Sequence, residues 1–259
     1  MKPLILVQLG TLAGLGVREA LHSKLLWLCF FATLGLLAAA GFAAGIVVVG
    51  GEALRAGMLA WGLRWLGVLT MTLFCVSSTV REGHGKLSEM LLVLSVRREV
   101  LCAGRLCGFS AIIVCFSAMA FLACSAFAPL SIAAQWSFSL ALELLIVSSF
   151  ALWVAAASNN VVLATLMTLG FYLLSRTMEA LVAMADKRWL VADAIHEYAL
   201  VGGIKVVSWL LPRLYNYASA DWLIESAVSA NLLMQLLLSA IYTTMLSSFA
   251  LLELYRRQF

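Results

Sequence analysis

Arg81-Glu82-Gly83-His84-Gly85-Lys86-Leu87-Ser88-Glu89-Met90-Leu91-Leu92-Val93-Leu94-Ser95-Val96-Arg97-Arg98-Glu99, continuing to Arg105, is a polar island between two long apolar segments. Within it Leu87, Met90, Leu91 and Leu94 recur at i, i+3, i+4 and i+7, the spacing of one helix face. Glycines precede this face and arginines follow it. A short amphipathic helix of this kind, held at a membrane surface, has the form of a docking element for a partner.

The composition explains why a membrane is the setting. The chain has 259 residues, 64% of them hydrophobic and 12% charged, with a mean hydropathy of +1.03. A soluble domain carries about 25% charged residues. Three prolines in the whole chain suit uninterrupted helices, whereas a barrel would show many short alternating segments and turns. The expected fold is therefore an all-α polytopic membrane protein, one transmembrane domain over residues 1–259. The net charge of +4 is not gathered into a nucleic-acid footprint, so the bilayer is the expected partner and nucleic acid is not. The six cysteines (Cys29, Cys75, Cys102, Cys107, Cys115, Cys124) fall in apolar spans or around the island, which points to structural free thiols rather than a disulfide framework. Cys102 and Cys107 have no neighbouring Cys or His to complete a metal site. The first long apolar run begins near Leu25 and is too long for a signal-peptide core, so no cleavable signal is expected.

Taken in order, residues 1–24 read as a glycine-rich helix lying in the interface. The first span is expected at about Leu25–Val49, with Gly41-Phe42-Ala43-Ala44-Gly45 as a small-xxx-small pattern that serves close packing, within the chain in the first place or else against a second copy. Further spans follow at about Trp61–Val80, Leu106–Ala128, Trp136–Ala157, Val161–Ser175 and Ala230–Leu252, each near the 17–25 apolar residues a bilayer requires. Residues 176–228 read as short helices on, or dipping into, the outer leaflet, with Trp189, Trp209, Tyr215, Tyr217 and Trp222 at headgroup level. With both termini and the island on one side, that side holds Lys2, Arg18, Lys24, Arg81, Lys86, Arg97, Arg98, Arg105, Arg256 and Arg257 against Glu19, Glu82, Glu89, Glu99 and Glu253. The basic excess places that side in the cytoplasm.

Chemical motifs are sparse. Gly85-Lys86 lacks the earlier glycine and the following Ser/Thr of a phosphate loop, these positions being Val80 and Leu87. Ser110, in Gly108-Phe109-Ser110-Ala111, has no histidine within the spans to act as a base. No catalytic residues and no cofactor are expected. Glu143 is the one carboxylate well inside a span, and an intramembrane acid is a functional candidate. Arg64 stands a similar few residues in from the outer end of its own span, so the two are expected to pair and tie the outer ends of spans two and four together.

The island resembles that of the permease subunits of ABC-2-type ABC transporters. That family shows an acid and a glycine, then Leu-Glu-x-Leu-Leu, a Pro-containing turn, a basic pair and a Gly-Lys/Arg entering the third span. Here Glu82, Gly85, Leu87, Glu89, Leu91, Leu92, Arg97, Arg98, Gly104 and Arg105 occupy those roles. Ser88 interrupts the Leu-Glu pair, and Ser95-Val96 lacks the proline. The resemblance implies an N-terminal elbow helix (1–24), a cytoplasmic coupling helix (81–105) and small outer helices before span six (176–228). It also implies an exporter of the bacterial inner membrane, built from two permease copies (a homodimer, or a pair with a related permease) and two separate ATPase subunits. In that assembly Leu87, Met90, Leu91 and Leu94 would seat in the ATPase, with Glu82, Glu89, Arg97 and Arg98 at the rim. Leu211-Pro212-Arg213-Leu214 resembles the outer segment of permeases of the copper-enzyme-maturation group, but export of a lipid, glycan, peptide or drug fits the sequence equally well; a periplasmic accessory protein is a further expected partner of such an exporter. Two other classes stand beside this one: a non-transporting membrane scaffold or assembly factor, and a proton-coupled secondary carrier, which would show internal repeats and more ionisable residues in its spans.

Overall fold

A computed structural model of the chain describes residues 10–11, 14–16, 18–20, 24–47, 49–84, 98–158, 160–189, 195–225 and 231–256. They form α1 (Leu25–Ile46), α2 (Gly51–His84), α3 (Arg98–Ser125), α4 (Leu130–Ala157), α5 (Val161–Trp189), α6 (Ile195–Leu210), a 3-10 turn (Leu214–Asn216), α7 (Asp221–Ile224) and α8 (Leu232–Arg256), with no strand among them. Six of these helices, α1 to α5 and α8, are long and apolar enough to cross a membrane. The protein is a helical bundle with six candidate spans.

The helices run longer than the apolar stretches that announce them. α2 has 34 residues, about 50 Å at 1.5 Å per residue, against a hydrocarbon core of about 30 Å. It begins ten residues before the expected Trp61, because Gly50 takes a left-handed φ of 79° and turns the chain directly from α1 into α2. α4 begins immediately after Pro129, since proline fits the entry to a helix but not its interior. α5 continues past the expected Ser175 through Arg176 to Trp189.

α4 is the central element, packed against α2, α3, α5 and α8. Trp136, Leu140, Leu144, Val147 and Ala151 are buried along it, meeting Leu63 and Met71 of α2 and Ile113 and Phe116 of α3 in one core. α8 lies parallel to α4: Ser139 meets Gln235 and Trp153 meets Phe249, both pairs being 96 residues apart. α1 packs chiefly on α2, and the close approach is made by glycines of α2. A Cβ at Gly51 would stand 2.5 Å from the Ala44 carbonyl oxygen, and one at Gly62 2.5 Å from Leu36. The expectation that Gly41 and Gly45 serve packing within the chain is overturned. Nothing lies within 4 Å of a Cβ at either, and Phe42 between them is 74% exposed.

The alternation of the helices sets two ends. The ends of α2 and α3 that flank the island lie together with the described N-terminal pieces, where Glu19 accepts a 2.8 Å hydrogen bond from Ser78 and pairs with Arg81. The C-terminal half of α8 lies toward the same end, Ser247 being close to Cys102. The starts of α2, α4 and α8 and the 3-10 turn lie toward the other end. All six cysteines are free thiols.

Candidate functional site

Three helices each send one charged side chain to a common point inside the bundle. α4 contributes Glu143, fully buried; α2 contributes Arg64, almost fully buried; α5 contributes Arg176, partly buried. Arg64 Nε is 3.8 Å from Glu143 Oε2, and an Arg176 Nη nitrogen is 3.8 Å from Glu143 Oε1. Tyr172, one turn before Arg176 on α5, is buried beside them. Both carboxylate oxygens face guanidinium groups across 3.8 Å, and the Tyr172 hydroxyl stands beside Glu143 as a third polar neighbour. The cluster is therefore held chiefly by charge. It carries two positive groups for one negative, in surroundings where charge is poorly solvated.

The arginines spend their hydrogen bonds on a different partner. Arg64 donates to the carbonyl oxygen of Ala218, and Arg176 donates to those of Leu214 and Tyr217. These three carbonyls belong to the stretch between α6 and α7; that of Leu214 also accepts the Tyr217 N–H at 3.1 Å within the 3-10 turn, and those of Tyr217 and Ala218 lie outside any helix. Other side chains complete the fit. Ser139 accepts from the Ala218 N–H at 3.0 Å and donates to Gln235 at 2.8 Å. Gln235 in turn donates to the Asn216 carbonyl at 2.7 Å. The Trp136 indole N–H reaches the Ser219 carbonyl at 3.1 Å, and the Tyr217 hydroxyl donates to the Gln235 carbonyl at 2.9 Å. Four helices thus grip one short segment through its backbone.

The depth of that segment differs from the expectation. Ala218 lies at the level of Arg64, and Ile224 reaches the level of Gly57, so the segment climbs about two turns of α2 between them. It is recessed among the helices. Tyr217 and Trp222, expected at headgroup level, are each 2% exposed and belong to the core. Aromatic rings with a polar tip suit an interface, but they also suit a buried seat that offers the tip a partner. Trp209 of α6, by contrast, is 81% exposed.

Arg64 and Glu143, singled out from the sequence, stand together in the structure, but not at the outer ends of their helices. Each lies 13 residues beyond its helix start at Gly51 or Leu130, which is about 20 Å along the axis and close to the helix middle. The sequence alone does not single out Arg176, Tyr172, Ser139 or Gln235 as site residues. Arg176 is the first residue beyond the expected fifth span; the signal for it is the i, i+4 spacing to Tyr172, which puts both on one face of a continuing helix. Of the expected docking residues, Leu87, Glu89, Met90, Leu91, Leu94 and Arg97 lie outside the described residues. Glu82 and Arg98 are in the helical ends of α2 and α3, with only their backbone described.

The fold and the site define a class: a helical bundle with six candidate membrane spans, whose buried ion cluster anchors a recessed, irregular segment. No family model matches the chain, and no curated protein matches it.

Proposed function

We propose that the chain is the membrane-spanning subunit of an ATP-driven ABC exporter of ABC-2 type. It would work as a pair of permeases in a bacterial inner membrane, with two separate ATPase subunits docked on the 81–105 island. The observation that carries this reading is the division of labour between the two ends. A charged amphipathic island joins α2 to α3 at one end, and an anchored, recessed segment joins α5 to α8 at the other. α2 and α3 run continuously from the island to the far end, so a push on the island is carried through stiff helices toward that segment. The basic excess around the island and termini supports a cytoplasmic side for them, where ATP is available. A homodimer and a periplasmic accessory protein are finer parts of the same proposal, which commits to no cargo.

Affinity purification of the tagged, membrane-inserted chain tests the reading. An ATPase subunit should co-purify in equal amount, and Leu91→Asp or Met90→Asp should abolish its recovery while leaving insertion and bundle stability intact. Retention of the ATPase by both variants would remove the docking role, and co-purification of non-ATPase partners alone would favour the scaffold reading.

A further inference from the structure

We propose that the crevice between the start of α2 and the end of α3 holds the headgroup of a phosphoethanolamine phospholipid, its phosphate on Arg55 and its ammonium on Glu52. Depth is the first ground. Glu143 is the one charged residue of α4 and stands at the middle of that helix, so its level lies near the centre of a bilayer. Arg64 of α2 meets it there. Arg55 precedes Arg64 by nine residues in the same helix, about 14 Å toward the end away from the island. Half of a hydrocarbon core is about 15 Å. The Arg55 guanidinium therefore stands where the acyl chains of one leaflet give way to phosphate.

The second ground is how Arg55 is held. Arg64 and Arg176 give N–H groups to carbonyls, but Arg55 is held by a ring and a distant carboxylate. Its Cζ lies 4.2 Å from the centre of the Phe127 ring, and an Nη nitrogen is 3.8 Å from Glu52 Oε1. Its Nε is buried with no hydrogen-bond partner among the described residues. Stacking fixes the guanidinium and leaves a planar fork of N–H donors, the shape that two phosphate oxygens match. The crevice beside it has a volume of about 100 Å³, with Leu59, Cys124, Leu223 and Ile224 in its walls. Phe127 and Ile224 are themselves exposed, an apolar rim along which acyl chains can lie. A cation with spare donors beside apolar walls suits an anion that carries an apolar body.

The third ground is charge. Glu52 lies one turn before Arg55, and its side chain is 96% exposed. An exposed pair at this distance contributes little by itself, so both groups can take better partners. The site offers one positive and one negative charge side by side. A headgroup whose phosphate and primary ammonium are two carbons apart answers both. A purely anionic headgroup would leave Glu52 unanswered and close to the phosphate. A choline headgroup has no N–H to donate to it.

The inference requires no ATPase and stands apart from the transporter reading. Native mass spectrometry of the full-length chain in detergent tests it, by titration with dioleoyl phosphatidylethanolamine, phosphatidylglycerol and phosphatidylcholine. One copy of the ethanolamine lipid should bind at least about tenfold more tightly than either of the others, the scale of one charge-assisted hydrogen bond. Arg55→Gln should weaken the ethanolamine lipid by about tenfold or more. Glu52→Gln should lower the ethanolamine lipid to the level of the other two while leaving those unchanged. If Arg55→Gln lowers the thermal midpoint of the lipid-free protein, the exposed Glu52→Gln decides alone. Equal binding of the three lipids to the unmodified chain, or a preference that survives Glu52→Gln, would overturn the site. Displacement of the lipid by soluble glycerophosphoethanolamine at equal concentration would also overturn it, by making the crevice a site for a dissolved solute.

Discussion

α1 and α4 are nearly equal in mean hydropathy, yet they occupy opposite positions in the molecule. Of the apolar stretch in α1 only 17% is buried, against 67% in α4. The difference lies in what accompanies the apolar residues. α1 turns Trp27, Phe31, Leu34 and Phe42 outward, where lipid is as good a solvent for them as another helix. α4 carries Ser137, Ser139, Glu143, Ser148 and Ser149, and all of them are buried. In a membrane the interior of a bundle is where small and polar side chains find partners, and the greasiest face is the outer one. Hydropathy finds a span; the polar residues within it find the centre.

The sharpest way to break that contrast is to remove the charge at the middle of α4. Glu143→Ala leaves Arg64 and Arg176 without a counter-charge, and losing one partner of a buried ion group costs roughly 3–5 kcal/mol. A large fall in the thermal midpoint of the detergent-solubilised protein should report it. No position on the outer face of α1 should approach that effect.

A smaller effect is expected from apolar truncation. Leu140→Ala in α4, at a fully buried position, should lower stability by about 2–5 kcal/mol. Leu34→Ala in α1, 55% exposed, should change it by no more than about 0.5 kcal/mol. Equal midpoints for the two variants would refute the assignment of α4 to the core and α1 to the periphery.

Glycines give the finest test. A Cβ at Gly67 of α2 would stand 2.7 Å from the Phe116 ring and 3.2 Å from Leu144, so Gly67→Ala should destabilise by about 1–3 kcal/mol through overpacking. Gly41→Ala has open space around it in this chain. It should be neutral or gain up to about 1 kcal/mol from helix propensity. Loss of stability at Gly41 would mean that another chain covers that face.

These contrasts also mark how far the sequence could be read. The six spans and their order follow from long apolar runs, and Glu143 is conspicuous as a lone acid within one. Helix ends were less legible, because a helix extends past the hydrocarbon as long as its backbone bonds are made. Placing α2 from Trp61 rather than Gly51 put Arg64 too near an end. The role of Arg176 and the buried seat of the 213–220 segment are not legible for a shared reason. Their partners are distant in the chain, and no local periodicity encodes a carbonyl of residue 218 meeting a guanidinium of residue 64. Tyr217 and Trp222 lie in the core rather than at headgroup level, because an amphipathic ring at an interface and one in a buried polar seat look alike in one dimension.

Ala218 has a consequence of its own. Its φ of 43° is a backbone shape that glycine takes freely and an L-residue holds at a cost of roughly 1–2 kcal/mol. An alanine there works as a small wound spring, its tension kept in by the grip of Arg64 and Arg176 on the carbonyls at and beside it and of Ser139 on its N–H. Ala218→Gly should unload that spring while the grip stays made.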